Sequence, residues 1–108
     1  TDLVEPEELV KGTAGVLAVP DMADFAIEDL RKWKRWEYDE QILGLFGKKG
    51  YATPIIRKSI LRYALQCPSE RATQCVAAQR KLDDEWVTDT KELLDMEQLT
   101  TPAATGGN

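Results

Sequence analysis

The chain has 108 residues, 43% of them hydrophobic and 31% charged, with a formal net charge of −5 and no histidine. That length admits one domain of ordinary size, which would bury roughly two thirds of its unfolded surface in a self-sufficient core. Without histidine, Ser-His-Asp and Cys-His nucleophile systems, imidazole acid–base chemistry and most zinc sites are excluded.

The opening Thr1, in place of a methionine, leads us to expect a processed or excised piece of a longer chain. The longest uncharged internal run, 12–20, is far shorter than a membrane span, and no basic segment precedes an apolar one as in a signal peptide. Apolar residues recur every three to four positions and nowhere alternate, so every segment between the ends reads as helix.

A first helix is predicted over 6–18. Pro6 suits its opening turn, Glu7 and Glu8 sit at the positive end of its dipole, and Leu9, Val10, Thr13 and Leu17 form a stripe. Pro20 stops it, and Asp21 is placed to cap a second helix over 21–34. There Ala23, Ala26, Ile27, Leu30 and Trp33 share a face, and Glu28 and Lys32 form an i,i+4 pair. A third helix over 38–46 carries Tyr38, Ile42, Leu45 and Phe46, and Gly47-Lys-Lys-Gly50 ends it with glycines suited to left-handed caps.

The fourth helix runs to about Gln66, with Thr53 as cap and Pro54 at its first position. Ile55, Ile56, Ser59, Ile60, Tyr63 and Ala64 make its buried stripe, with Arg57, Lys58 and Arg62 off it. A fifth helix over 69–81, capped by Ser69, turns Ala72, Cys75, Val76 and Leu82 inward. A sixth over 84–96, capped by Asp83, carries Trp86, Val87, Thr90, Leu93 and Leu94. Residues 100–108 read as a disordered tail and 1–99 as a single helical domain.

Six short helices with connections of about two to seven residues predict antiparallel α-hairpins. Odd-numbered helices begin near 6, 38 and 69, a hairpin period of about 31 residues that falls in the range of α-helical repeats. The fold class is therefore all-α, either a HEAT-like α-α superhelix fragment or a compact helical bundle. Cys67 and Cys75, spaced by eight, fit no zinc pattern and are expected as buried thiols. Compartment stays open.

The stretch Asp29-Leu-Arg-Lys-Trp-Lys-Arg-Trp36, the pairs Ile42-Leu43 and Leu45-Phe46, and Thr53-Pro-Ile-Ile-Arg-Lys-Ser-Ile-Leu-Arg-Tyr-Ala-Leu-Gln-Cys-Pro68 resemble a group of HEAT-like repeat proteins of planctomycete bacteria. The resemblance covers about 16–97. It implies the C-terminal part of a longer bacterial helical-repeat protein. The chain departs from the group's pattern at Thr53-Pro54-Ile55, where the group's proline lies deeper in the helix, and at Ala64, where the pattern has leucine. The group carries no assigned activity, so no site residue transfers.

Charge is segregated along the chain. Residues 1–30 hold eight acids and one base, net −7; residues 31–62 hold nine bases and three acids, net +6; residues 63–108 hold eight acids and four bases, net −4. In the basic middle, Lys32, Arg35, Trp36, Lys48, Lys49, Arg57, Lys58 and Arg62 are the candidate partner-binding residues. Trp36 is included because it falls outside the periodic stripe, whereas Trp33 and Trp86 read as packing.

With Trp33, Trp36, Tyr38, Tyr51 and Tyr63 interleaved, the same zone could track a phosphate backbone, so a nucleic-acid module is the alternative. The acidic flanks oppose it. Carboxylate pairs such as Glu7/Glu8 and Asp83/Asp84/Glu85 sit at helix starts, where capping accounts for them. Gly47-Lys-Lys-Gly50 lacks the glycine spacing of a phosphate loop. The expectation is a non-catalytic domain without cofactor or metal, mediating protein–protein interaction or scaffolding. Its partner is another protein, a neighbouring domain of the parent chain or a second copy.

Overall fold

The computed structural model describes residues 6–100 and contains no strand among them. Five helices follow in order: α1 Pro6–Val16, α2 Ala23–Lys32, α3 Asp39–Leu43, α4 Pro54–Gln66 and α5 Glu70–Thr100. Single 3-10 turns lie at Pro20–Met22 and Trp36–Tyr38. Residues 1–5 and, apart from Thr100, the expected tail lie outside the described residues.

The all-α class is as predicted, but the helices among the described residues number five rather than six. Those expected over 69–81 and 84–96 belong to one element, α5, broken only at Asp83 (φ −160°, ψ 82°). Both predicted caps are present. Ser69 Oγ accepts the Ala72 N–H at 3.1 Å, and Asp83 Oδ1 accepts the Trp86 N–H at 3.1 Å. A straight helix of that length would separate its ends by about 45 Å. Yet Glu97 comes within 3.5 Å of Arg62, on the helix just before α5. The break therefore folds the second half of α5 back over α4.

Two expected caps do not form. Met22, not Asp21, precedes α2, and Thr53 stands before Pro54 without a side-chain cap bond. Pro54 at the first position fixes the helical φ there and has no N–H to satisfy. The third helix shrinks to the five residues of α3. The segment after it turns through Gly47 and Gly50, at φ +78° and +89°, the left-handed conformation expected of glycines past a helix end.

α2 ends in the same kind of turn without a glycine. Lys34 sits at φ +57°. The Arg35 N–H donates to the Leu30 carbonyl at 2.9 Å, and the Lys34 N–H donates to that of Arg31 at 3.0 Å, the bond pair of a Schellman cap. A lysine Cβ is crowded in that region. Lys34→Gly should therefore stabilise the fold by about 1 kcal/mol and raise the thermal midpoint by about 4–8 °C, read by calorimetry.

α2 and α4 run parallel, side by side. Asp21 and Asp24 share a cleft with Ile55, Glu28 meets Arg62, and Arg31 meets Gln66. α1 runs against α2, bringing Glu7 to Arg35. The principal core lies among them. It contains Val10, Ala14 and Leu17 of α1 and its end, Ala23, Ala26, Ile27 and Leu30 of α2, Ile42, Leu43 and Leu45, and Ile56, Ile60, Tyr63 and Ala64 of α4.

Five residues expected inward are exposed: Leu9, Trp33, Ile55, Leu82 and Leu93. Trp33 lies at the C-cap of α2, where the chain is leaving the helix, and Leu82 adjoins the break in α5. Leu61, assigned to no stripe, is fully buried. So are Val87 and Thr90, with Leu94 nearly so, as α5's second half covers the outer side of α4. Cys67 is buried and Cys75 half-buried, both free thiols. Burial pushes the Cys75 thiol up, keeping it protonated.

Candidate functional site

The eight candidate residues do not form one free basic face. Lys32, Lys48 and Lys49 are exposed, and Lys58 is half-buried. The Lys48 ammonium lies 5.5 Å from the centre of the Tyr51 ring. Arg57 is exposed, yet its guanidinium sits over the Trp86 ring at 4.8 Å, within cation–π range. Trp36 is half-buried against Tyr63, edge to face at 5.1 Å between centroids. Tyr51 is core rather than a stacking platform, and its hydroxyl donates to the Leu17 carbonyl at 2.7 Å.

The arginines of the basic middle are drawn into pairs with the acidic flanks. Arg35 bonds Glu7 on α1 and reaches Glu37 at 3.4 Å; the Glu7 carboxylate is the main reason its guanidinium pKa is raised. Arg31, only 7% exposed, is at the centre of a larger network. Its Nε and Nη2 donate to Glu28 Oε1 at 2.9 and 2.7 Å, and its Nη1 donates to Gln66 Oε1 at 2.8 Å. Arg31 Nη2 also lies 3.7 Å from Glu97.

Arg62 faces the same two carboxylates, at 3.6 Å from Glu28 and 3.5 Å from Glu97. It was expected off the buried stripe, and it is instead half-buried in this network. The pair expected between Glu28 and Lys32 gives way to it. Two arginines and two glutamates thus join α2, α4 and the end of α5. The +6 of the middle is in good part the counter-charge of the −7 and −4 that flank it.

Asp39 forms a second polar junction. Buried at the start of α3, it accepts the Glu40 N–H at 2.6 Å and pairs with Arg71 at 3.0 Å. The Ser69 hydroxyl first, then the Glu40 N–H and the Arg71 guanidinium, outweigh burial and hold its carboxyl below the usual 3.8. A carboxylate depressed in the folded state stabilises fully above its unfolded pKa and loses that contribution as pH falls through the folded one. The native chain should lose stability as pH drops below about 4, and Asp39→Asn should flatten that slope. Urea midpoints between pH 2 and 6 read it. Burial likewise pushes the Tyr63 phenol well above its usual 10.0, so it stays neutral.

Open clefts flank these junctions. One is lined by Arg31, Lys34, Trp36, Gln66 and Pro68, another by Asp39, Ser69, Glu70, Arg71 and Gln74. A third, between the starts of α2 and α4, is lined by Pro20, Asp21, Asp24, Gly50, Thr53, Ile55 and Ile56. In this third cleft, and beside its aspartates in the chain, apolar side chains are exposed. Ile55 is 61% exposed, and Met22 and Phe25, at 47% and 62%, stand beside Asp21 and Asp24.

Sequence reasoning missed this patch. Ile55 was assigned to the core, and neither Met22 nor Phe25 entered a stripe. The unassigned Met22 and Phe25, three residues apart across the start of α2, were the available signal. No cluster of three metal-ligating side chains occurs among the described residues, and no helix among them is long and apolar enough to cross a membrane. Comparison with known protein families, with curated proteins and with solved structures returns no match to this chain.

Proposed function

We propose that this chain is a non-catalytic interaction or scaffolding domain that docks another protein segment at the cleft between the starts of α2 and α4. The observation that carries this reading is the exposed Ile55 in a cleft with two aspartates, together with the exposed Met22 and Phe25 that adjoin those aspartates in the chain. Large apolar side chains gathered on a surface and rimmed by polar groups mark interaction sites. The complementary partner presents apolar anchors with basic groups to meet Asp21 and Asp24.

The expected basic surface survives mainly as Lys32, Lys48, Lys49 and Lys58. As a second, acid-seeking contact it is weaker than the sequence suggested, because Arg35 and Arg62 are engaged within the chain. The same pairing weakens the nucleic-acid alternative. The HEAT-like reading, with a place at the C-terminal end of a longer repeat protein, rests on the sequence resemblance. Antiparallel α1–α2 and the α4–α5 turn support it, while the five-residue α3 departs from a regular hairpin.

The test is partner capture from host extract by three forms of the chain. Phe25→Asp with Ile55→Asp should lose at least tenfold in recovery while keeping the wild-type helical circular dichroism. Glu in place of Lys32, Lys48, Lys49 and Lys58 should lose less. Unchanged recovery by both variants rejects the interaction reading. Salt-dependent retention of single-stranded nucleic acid would favour the alternative.

A further inference from the structure

We propose that Asp83 is an exchange hinge, and that the helix over 84–97 docks either on α4 of its own chain or on α4 of a second copy, giving a swapped dimer. The first observation is the absence of a loop. A single non-helical residue interrupts an otherwise continuous 31-residue helix. Returning Asp83 to helical angles would straighten α5 and restore the backbone bonds that a helix break forgoes. The released segment would then project about 20 Å past the hinge, enough to lie along another molecule's α4.

The second observation is that the segment is an addition to a core already complete. The principal core draws on α1 to α4 and on α5 no further than Ala72, with Cys75 and Val76 packed against it. Leu61, Val87 and Leu94 are buried apart from that core. Undocking the segment would leave the principal core intact.

The contacts that hold the segment are indifferent to which chain supplies it. They include Trp86 under the Arg57 guanidinium, Glu97 beside Arg31 and Arg62, and the buried Val87 and Leu94. Charge complementarity identifies the occupant. Residues 84–97 carry six acids and one base, net −5, whereas α4 carries Arg57, Lys58 and Arg62 and no acid. That attraction acts between copies as it does within one.

The third observation is Leu82. It is 77% exposed in the bent form. In a straight α5 it would share a face with Cys75, seven residues before it, and Trp86, four after it. The bend is held meanwhile by the Asp83 cap and by Arg80, whose Nη1 donates to Asp84 at 2.8 Å and to Thr88 at 3.2 Å. Exchange of an identical element about a short hinge is a low-cost route to dimers, and lengthening the hinge suppresses it.

Asp83→Ala removes the cap and installs the best helix former. It should strengthen dimerisation of the full chain by about 30-fold, two caps being lost per dimer. Light scattering behind size exclusion reads this across a concentration series. Inserting Gly-Gly after Asp83 should return the monomer. In a dimer mixed from labelled and unlabelled chains, the contact between the Arg57 side chain and the Trp86 ring should appear as an inter-chain NOE. Should Asp83→Ala fail to fold, wild-type chain cycled at high concentration through its urea midpoint must yield the same dimer. A folded Asp83→Ala chain that stays monomeric at millimolar concentration, or a dimer whose Arg57–Trp86 contact remains within each chain, overturns the proposal.

Discussion

Arg31→Ala should lower the free energy of unfolding by about 3–5 kcal/mol, a large part of what a domain of this size possesses. The guanidinium is nearly inaccessible and donates to Glu28 twice and to Gln66 once, and it neighbours Glu97. Removing it strands the Glu28 carboxylate, 20% exposed, and leaves Arg62 at 3.6 Å to compensate it. The loss comes chiefly from that uncompensated charge rather than from the bonds themselves. Arg31→Met combined with Glu28→Gln should accordingly cost much less than Arg31→Ala alone. Urea denaturation at pH 7 decides it: the midpoint should fall at constant slope, and a double variant no better than the single one contradicts the account. The same network makes charge reversal at Arg62 a poor test of partner binding, because it would disturb the fold as well as the surface.

Tyr63→Ala should cost a similar amount, about 3–5 kcal/mol. Tyr63 is fully buried in the middle of α4, holds Trp36 edge to face, and donates its hydroxyl to the Arg35 carbonyl at 2.5 Å. It thereby fixes the chain between α2 and α3, which has little helix to hold it. Tyr63→Phe keeps the ring and drops the hydroxyl, so it should cost only about 1–2 kcal/mol. A specific readout accompanies the alanine variant: Trp36 loses its packing partner, and tryptophan fluorescence should shift to the red before the global transition. Equal costs for the two variants would mean that the hydrogen bond, not the ring, carries the energy.

Local signals in the sequence were legible wherever neighbours along the chain decide the outcome. Ser69 and Asp83 cap as their spacing predicts, through a local bond from a side chain to an N–H three residues on, whereas Asp21 and Thr53, read the same way, do not. Gly47 and Gly50 turn left-handed for equally local reasons. The buried stripes of α2 and α4 were legible at their centres, Ala26, Ile27 and Leu30, and Ile56, Ile60, Tyr63 and Ala64. At their edges they were not. Ile55 fits the period but lies where α2 leaves an open cleft, and Leu61 breaks the period but faces the returning half of α5. Periodicity gives the direction of a side chain on its helix, whereas burial depends on whether another helix stands in that direction.

The charge pattern divides along the same line. From composition, the basic middle reads as a surface for partners. The fold turns Arg31, Arg35 and Arg62 onto Glu28, Glu7 and Glu97, residues up to 35 positions away in the chain. A block of like charge is a property of one dimension, and three-dimensional proximity decides whether its counter-charge is a partner or another part of the same molecule. The helices, the Ser69 and Asp83 caps, the all-α class and the lack of histidine chemistry follow from residue type and short-range spacing, because their energetics are short-range. The bend at Asp83, the parallel α2 and α4, the arginine–glutamate network and the exposed apolar cleft depend on which surfaces meet. That was settled only when the unequal helices packed against one another.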